Sequence, residues 1–169
     1  MTVKYQLKSH LDIVRGVSFV SEIDTMATVS EDCTVKLWSL KGIDQHYAET
    51  DGNLEPYITL RGHTGPLFAV TNVPGTNPSS KLKRVLFTGG SEGVIRLWNL
   101  PAVTDVNQFG DTFDGRNYCI GQWGGEEAAH GNAEACWDLR HHNYQNMLLA
   151  VSAQPEANIW STAEINTET

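Results

Sequence analysis

The side chains best equipped for chemistry in this 169-residue sequence fall into two groups. The first is Gly89-Gly-Ser-Glu-Gly93, which reads Gly-x-Ser-x-Gly, the pattern that raises a nucleophilic serine on a sharp strand-to-helix turn. Such a serine needs a helix behind it. The residues that follow are Val94-Ile-Arg-Leu-Trp98, β-branched and alternating apolar with polar, so a strand is expected there and the glycines read as turn residues. The second group is Cys136, Asp138, His141 and His142, all capable of holding a metal. Cys136 and Asp138 are expected on one strand face and the two histidines in the turn after it, with no second Cys or His cluster to complete a tetrahedral set. No glycine-rich loop opens onto a helix to cradle phosphate, and no helix of useful length is apparent. These residues point to no enzyme, no catalytic residue, no cofactor and no metal.

Composition narrows the partners. Twelve Lys and Arg against 20 Asp and Glu give a net charge of −8, the wrong sign for a phosphate backbone, so no nucleic-acid partner is expected. At 40% hydrophobic and 19% charged, the chain has the balance of a folded domain. No stretch approaches the roughly 18 apolar residues of a spanning helix, and MTVKYQLKSH lacks the apolar core of a secretory signal, so no direct membrane insertion is expected. Cys33, Cys119 and Cys136 are odd in number and form no Cys-x-x-Cys pair, as befits reduced thiols in the cytoplasm.

The elements that carry these residues repeat. Thr28-Val-Ser-Glu-Asp-Cys-Thr-Val-Lys-Leu-Trp38 aligns with Thr88-Gly-Gly-Ser-Glu-Gly-Val-Ile-Arg-Leu-Trp98 and, more loosely, with Ala150-Val-Ser-Ala-Gln-Pro-Glu-Ala-Asn-Ile-Trp160. Each copy reads as two short strands joined by a tight turn: Met26, Thr28 and Ser30 face one way, Ala27 and Val29 the other. Upstream of each hairpin lie a histidine, His10, His63 or His130, and another strand-like run, 16–20, 66–70 or 135–139. Ahead of each histidine is one more short run, 5–8, 57–60 and 118–123.

Four strands per unit, a Gly-His-like dipeptide near the start and a Trp ending the third strand resemble the WD-repeat family of β-propellers. The resemblance implies an all-β segment of about three four-stranded blades, with repeats at about 5–40, 57–100 and 118–161, the last degenerate. It also implies a hydrogen-bonded network in each blade. The first unit would use His10, Thr28, Asp32 and Trp38, and the second His63, Thr88, Trp98 and Glu92, the last in place of Asp. The third keeps His130 and Trp160 but has Ala150 and Gln154 at the other two places, so it is expected to be the weakest blade.

Trp38, Trp98 and Trp160 are 60 and 62 residues apart, against about 40–45 for an ordinary repeat, and the excess falls in long loops at 41–55 and 101–117. Both join a third strand to a fourth, and 74–84 joins a first to a second, so all three are expected on one face. Their formal charges are −3 and −2 for the two longest, with Lys81, Lys83 and Arg84 between them, which makes this the candidate partner surface.

Several stretches are more particular. Tyr5-Gln-Leu-Lys-Ser-His-Leu-Asp12, Glu55-Pro-Tyr-Ile-Thr-Leu-Arg-Gly-His-Thr-Gly-Pro66 and Phe87-Thr-Gly-Gly through Leu97-Trp-Asn-Leu-Pro101 are similar to the opening blades of the striatin family. That resemblance implies a non-enzymatic scaffold, a regulatory subunit gathering type 2A protein phosphatase and kinase components. An unrelated WD-repeat adaptor or substrate receptor is the alternative. With no recognisable fourth strand after Trp160, and closed propellers needing about four to eight blades, the chain is expected to be an incomplete, open arc. Two exposed sheet edges would then invite self-association.

Overall fold

The computed structural model describes residues 4–50, 52–73, 84–101, 115–124, 134–163 and 165. It is an all-β fold of three antiparallel sheets, none closed on itself. The first runs β1 (Val14–Val20), β2 (Thr25–Ser30), β3 (Val35–Ser39) and β4 (Ile58–Leu60), in that order. The second repeats the plan with β5 (Leu67–Asn72), β6 (Val85–Gly90), β7 (Ile95–Asn99) and β8 (Cys119–Trp123). The third has three strands, β9 (Cys136–His142), β10 (Met147–Ser152) and β11 (Ala157–Ser161).

Register is the same in all three. Thr25 lies opposite Ser39, Val85 opposite Asn99 and Met147 opposite Ser161. At the other end of each sheet the first strand carries a bulge that sets Arg15, Phe68 or Trp137 out of the ladder. Equivalent positions can therefore be compared directly, and alternation assigns them to faces.

On the face turned toward the following sheet, Ala27, Val29, Val35 and Leu37 of the first sheet are buried, as are Val85, Phe87, Ile95 and Leu97 of the second. The opposite face of the next sheet covers them. Val70 and Trp98 join the first layer of core, and Cys136, Leu139 and Leu148 join the second. The innermost strands stack on one another, β5 on β1 and β9 on β5, and close approach there needs small residues. A Cβ on Gly89 would press on Cys136, and one on Gly90 would overlap the Pro66 carbonyl.

Of the glycines read as turn residues, Gly93 lies in the turn, while Gly89 and Gly90 close strand β6, paired with Ile95 and Leu67. Gly90 and Ser91 lead from β6 into β7, the Ser91 amide donates to Pro66 O at 2.8 Å, and Gly93 has φ +67°, a conformation glycine adopts without steric cost.

Three expectations need correction. Tyr5–Lys8 belongs to no sheet, because a fourth strand exists only by pairing with a third and the described residues supply none beside it. Residues 41–55 contain a helix, α1 (Ile43–Glu49), whose only apolar i,i+4 pair, Ile43 and Tyr47, spans a single turn and is too short a stripe to announce it. His141 and His142 end strand β9 rather than lying in the turn, and the bulge at Trp137 turns Cys136 and Asp138 to opposite faces. Among the described residues no cluster of three metal-ligating side chains forms, and no helix is long and apolar enough to cross a membrane.

The open ends of the arc expose faces more than edges. Val17 and Phe19 on the first sheet and Met147, Leu149, Val151 and Ile159 on the third stand in solvent.

Candidate interaction surface and the polar hubs

Each of the first two sheets is pinned by a threonine hydroxyl. Thr28 on β2 and Thr88 on β6 are buried and share a sheet face with the next strand's Trp, two residues apart in the ladder. Thr28 Oγ1 accepts from Trp38 Nε1 at 2.9 Å and lies 2.8 Å from His10 Nε2. Thr88 Oγ1 accepts from Trp98 Nε1 at 2.8 Å and lies 2.7 Å from His63 Nε2. A hydroxyl that accepts from the indole keeps its own proton to donate to the imidazole. Each imidazole then presents Nδ1 to a carboxylate in the hairpin turn, His10 to Asp32 at 2.8 Å and His63 to Glu92.

The carboxylates are tied further. Asp32 accepts from the amides of Leu11 at 2.9 Å and Thr34 at 3.0 Å and from the Thr34 hydroxyl at 2.6 Å. Glu92 accepts from the Thr64 amide at 2.9 Å and its hydroxyl at 2.5 Å. One methylene longer than Asp, Glu92 reaches the same imidazole from the same turn. Burial pushes both carboxyl groups up, but the hydrogen bonds outweigh it: those to Thr34, Leu11 and His10 hold Asp32 at about 2, and those to His63 and Thr64 hold Glu92 at about 2. Burial also lowers His63, against the pull of Glu92, so its neutral form is favoured. The sequence did not single out Thr34 or Thr64, whose polar character is ordinary for a turn.

In the third sheet Trp160 and Ala150 occupy the corresponding places, and Ala150 has no hydroxyl to offer. Gln154 bonds to Glu134 instead. His130 lies outside the described residues. These hubs hold strands together; with both imidazole nitrogens and the carboxylate spoken for, they present nothing to a substrate.

The surface candidates lie at the sheet ends. At one end the amides of Leu40, Leu100 and Thr162 donate to the carbonyls of Asp24, Arg84 and Asn146 at 2.7, 2.8 and 2.7 Å. Those three acceptors all have positive φ, which turns the chain sharply into the second strand. The roots of 41–55, 74–84 and 101–117 are thereby gathered at one end of their sheets, although 74–83 and 102–114, with Lys81 and Lys83, lie outside the described residues. Tyr57 bridges neighbouring roots through bonds to Thr25 Oγ1 at 3.1 Å and Pro101 O at 3.3 Å. Helix α1 stands here with Asp44 and Glu49 exposed. Asp44 pairs with Lys4 at 2.7 Å and accepts from Tyr5, and the Tyr5 and Tyr47 rings meet edge to face at 5.2 Å.

At the other end Phe68 and Trp137, both bulge residues, stack at 4.9 Å with ring planes 10° apart. This platform was invisible in the sequence because the bulges that align the rings leave no residue signature. Between the outer parts of the second and third sheets lies an apolar cavity of about 270 Å³ edged by Phe87, Trp123, Leu148 and Trp160. His141 stacks on Phe87 and bonds Thr162 at 3.0 Å. Burial and the neighbouring His142 lower its pKa.

Comparison with known proteins agrees with this architecture. The model of the family "WD domain, G-beta repeat" matches residues 1–39 and 54–99. Human striatin-3 is 30% identical over 161 residues, 95% of this chain and 18% of that protein. The striatin homolog of Dictyostelium discoideum is 30% identical over 159 residues, 94% of this chain and 18% of its own length. Mouse striatin-4 is 29% identical over 157 residues, 93% of this chain and 19% of its own. The chain thus spans less than a fifth of the length of these curated relatives.

Proposed function

This chain belongs to the WD-repeat family, and from that premise we propose that it is a non-enzymatic, striatin-like scaffold that docks components of type 2A phosphatase and kinase assemblies in the cytoplasm. The observation that carries the reading is its similarity to striatins over nearly its whole length, across all three sheets. The polar hubs support it, since His10, Asp32, His63 and Glu92 are engaged in holding strands together. The docking face is the end that bears α1, where Asp44, Glu49 and Glu55 lie exposed on a rigid base.

Affinity capture with the immobilised chain tests this. Phosphatase and kinase components should be enriched over an unrelated WD-repeat control. Reversing charge at Asp44, Glu49 and Glu55 together should reduce their recovery several-fold while leaving the thermal melt in place. Capture of no such component by the unaltered chain would sink the striatin-like reading and favour the unrelated adaptor.

A further inference from the structure

The two junctions between sheets differ in chemistry at one register position. Asn72 on β5 lies opposite Leu86, and His141 on β9 opposite Leu148, residues that in turn lie opposite Trp98 and Trp160. Both side chains meet the preceding sheet. Asn72 Oδ1 accepts from the Ser18 hydroxyl at 3.0 Å. His141 lies nearly flat against Phe87, with ring centroids 6.0 Å apart and planes 12° from parallel, and its Nε2 is 3.0 Å from Thr162 Oγ1. At this place the first junction holds an amide, which does not titrate, and the second an imidazole, which does.

The other nitrogen of His141 decides what that difference means. Nδ1 is buried and has no hydrogen-bond partner among the described residues. A neutral ring tolerates this, because the Thr162 hydroxyl serves Nε2 in either tautomer. An imidazolium donates from both nitrogens, and here only one donor meets an acceptor.

No carboxylate faces the ring to offset the charge. Among the described residues β5, β6, β8, β10 and β11 carry no acid or base except the Cys119 thiol, which packs with the first layer of core. Arg96 of β7 shares the Trp98 face of its sheet and bonds Gln122. On β9, Asp138 and Arg140 pair with each other at 2.9 Å and alternate away from Leu139 and His141. Cys136 is buried in the same junction, its thiol pushed up to about 12 by burial, and stays neutral. His142 repels a second positive charge. The face of Phe87 attracts a cation, but less than lost hydration and an unmet donor disfavour one. Burial and His142 accordingly lower the pKa of His141.

We propose that the junction between the second and third sheets is a proton-sensitive joint, tight while His141 is neutral and loosened when its ring takes up a proton. The charged ring has to draw in water or part from Phe87, and the cavity of about 270 Å³ edged by Phe87 and Thr162 lies beside it to admit that water. A ring that binds its proton less readily when packed than when free favours packing fully above the ordinary histidine value near 6.5, and progressively less below it. One proton changes the loosened population by at most about tenfold per pH unit.

Cys136 reports the joint, being 4% exposed and set against Gly89 across the junction. A pyridyl disulfide, which reacts with thiols in acid, is applied to the whole chain, and labelling of Cys136 is followed by peptide mass. Relative to the unfolded chain, labelling should accelerate by roughly tenfold between about pH 7 and pH 5, and the His141 ring should titrate along the same curve by NMR. His141→Asn installs the residue of the first junction, and His141→Phe keeps a ring on Phe87 without a titratable nitrogen. Each should hold the acceleration below roughly twofold.

Cys136 equally protected at both pH values would overturn the proposal. So would an acceleration that survives either substitution, which would assign it to His63 or to general unfolding. A His141 titration displaced from the labelling curve of the unaltered chain would overturn it as well, whether or not the variants fold.

Discussion

The first two sheets and the third share strand order, register and bulge, yet they are held by different means. In the first two, a threonine hydroxyl joins an indole, an imidazole and through it a turn carboxylate into one chain of hydrogen bonds. In the third, Ala150 stands at the centre of that arrangement, and the sheet is fixed by Cys136, Leu139 and Leu148 packing on the second. The difference separates two tasks. Apolar alternation along the strands is enough to form and stack a sheet, as the third sheet demonstrates. The polar hub is an addition that ties the loop before a sheet to the hairpin within it.

Neighbours matter more than hubs, so the largest effect is expected from a packing contrast at one register position. Phe87→Ala empties a site covered from both sides and should cost about 3–5 kcal/mol. Leu149→Ala, at the equivalent place on the open third sheet, should cost less, about 1–2 kcal/mol, because more than a third of that side chain already stands in water. Denaturant melts of the two variants measure the difference. Equal losses would mean that the third sheet's open face is covered even in the isolated chain.

Removing a hub comes next. Thr28→Val keeps the shape of the side chain but strands the Trp38 indole N–H and the facing nitrogen of His10, each at roughly 1–3 kcal/mol. Thr88→Val should do the same to Trp98 and His63. If both changes were neutral, the hubs would be passive and the contrast with the third sheet would lose its meaning.

Acid should act on the hub sheets through the same groups. A carboxyl whose folded pKa is depressed binds its proton more readily in the unfolded chain, so it contributes stability above its unfolded pKa and loses it as pH falls through the folded one. For Asp32 and Glu92 that window runs from about 4 down to about 2. His63 adds to the slope from higher pH. Its folded pKa is lowered, so protonation favours the unfolded chain once pH drops below the ordinary histidine value near 6.5. Asp32→Ala should cost roughly 1–3 kcal/mol at neutral pH and progressively less between about 4 and about 2, where the unfolded chain takes up the proton that the folded carboxylate still resists. A gap that stayed constant down to pH 2 would show that the carboxylate's charge plays no part.

Most of this contrast was legible in the residues. The spacing of Thr28, Trp38, Thr88 and Trp98 identifies the hairpins, and Ala150 marks the missing hydroxyl, because alternation ties sequence position to sheet face. What alternation cannot express escaped the reading. The bulges at Arg15, Phe68 and Trp137 break period two at a point no residue type announces. Tyr5–Lys8 has a strand's pattern but no neighbour to pair with among the described residues, and helix α1 offers only Ile43 and Tyr47 as a one-turn apolar stripe, too little to separate it from a loop.

The smallest effect expected is also the most discriminating. Ala150→Thr would place a hydroxyl in the third sheet at the ladder position that Thr28 and Thr88 hold, two residues along β10 from the residue opposite Trp160. Ala150 is buried, so the new group has to find the indole or stay unsatisfied. If the hydroxyl and indole suffice for a hub, stability should rise by about 0.5–1.5 kcal/mol. Ala150→Val supplies the same shape without the hydroxyl, and the difference between the two melts isolates the hydrogen bond. A gain shared equally by both would credit packing and β-propensity alone. A loss confined to threonine would mean that the hubs of the first two sheets depend on their histidine and carboxylate, and that one donor cannot rebuild them.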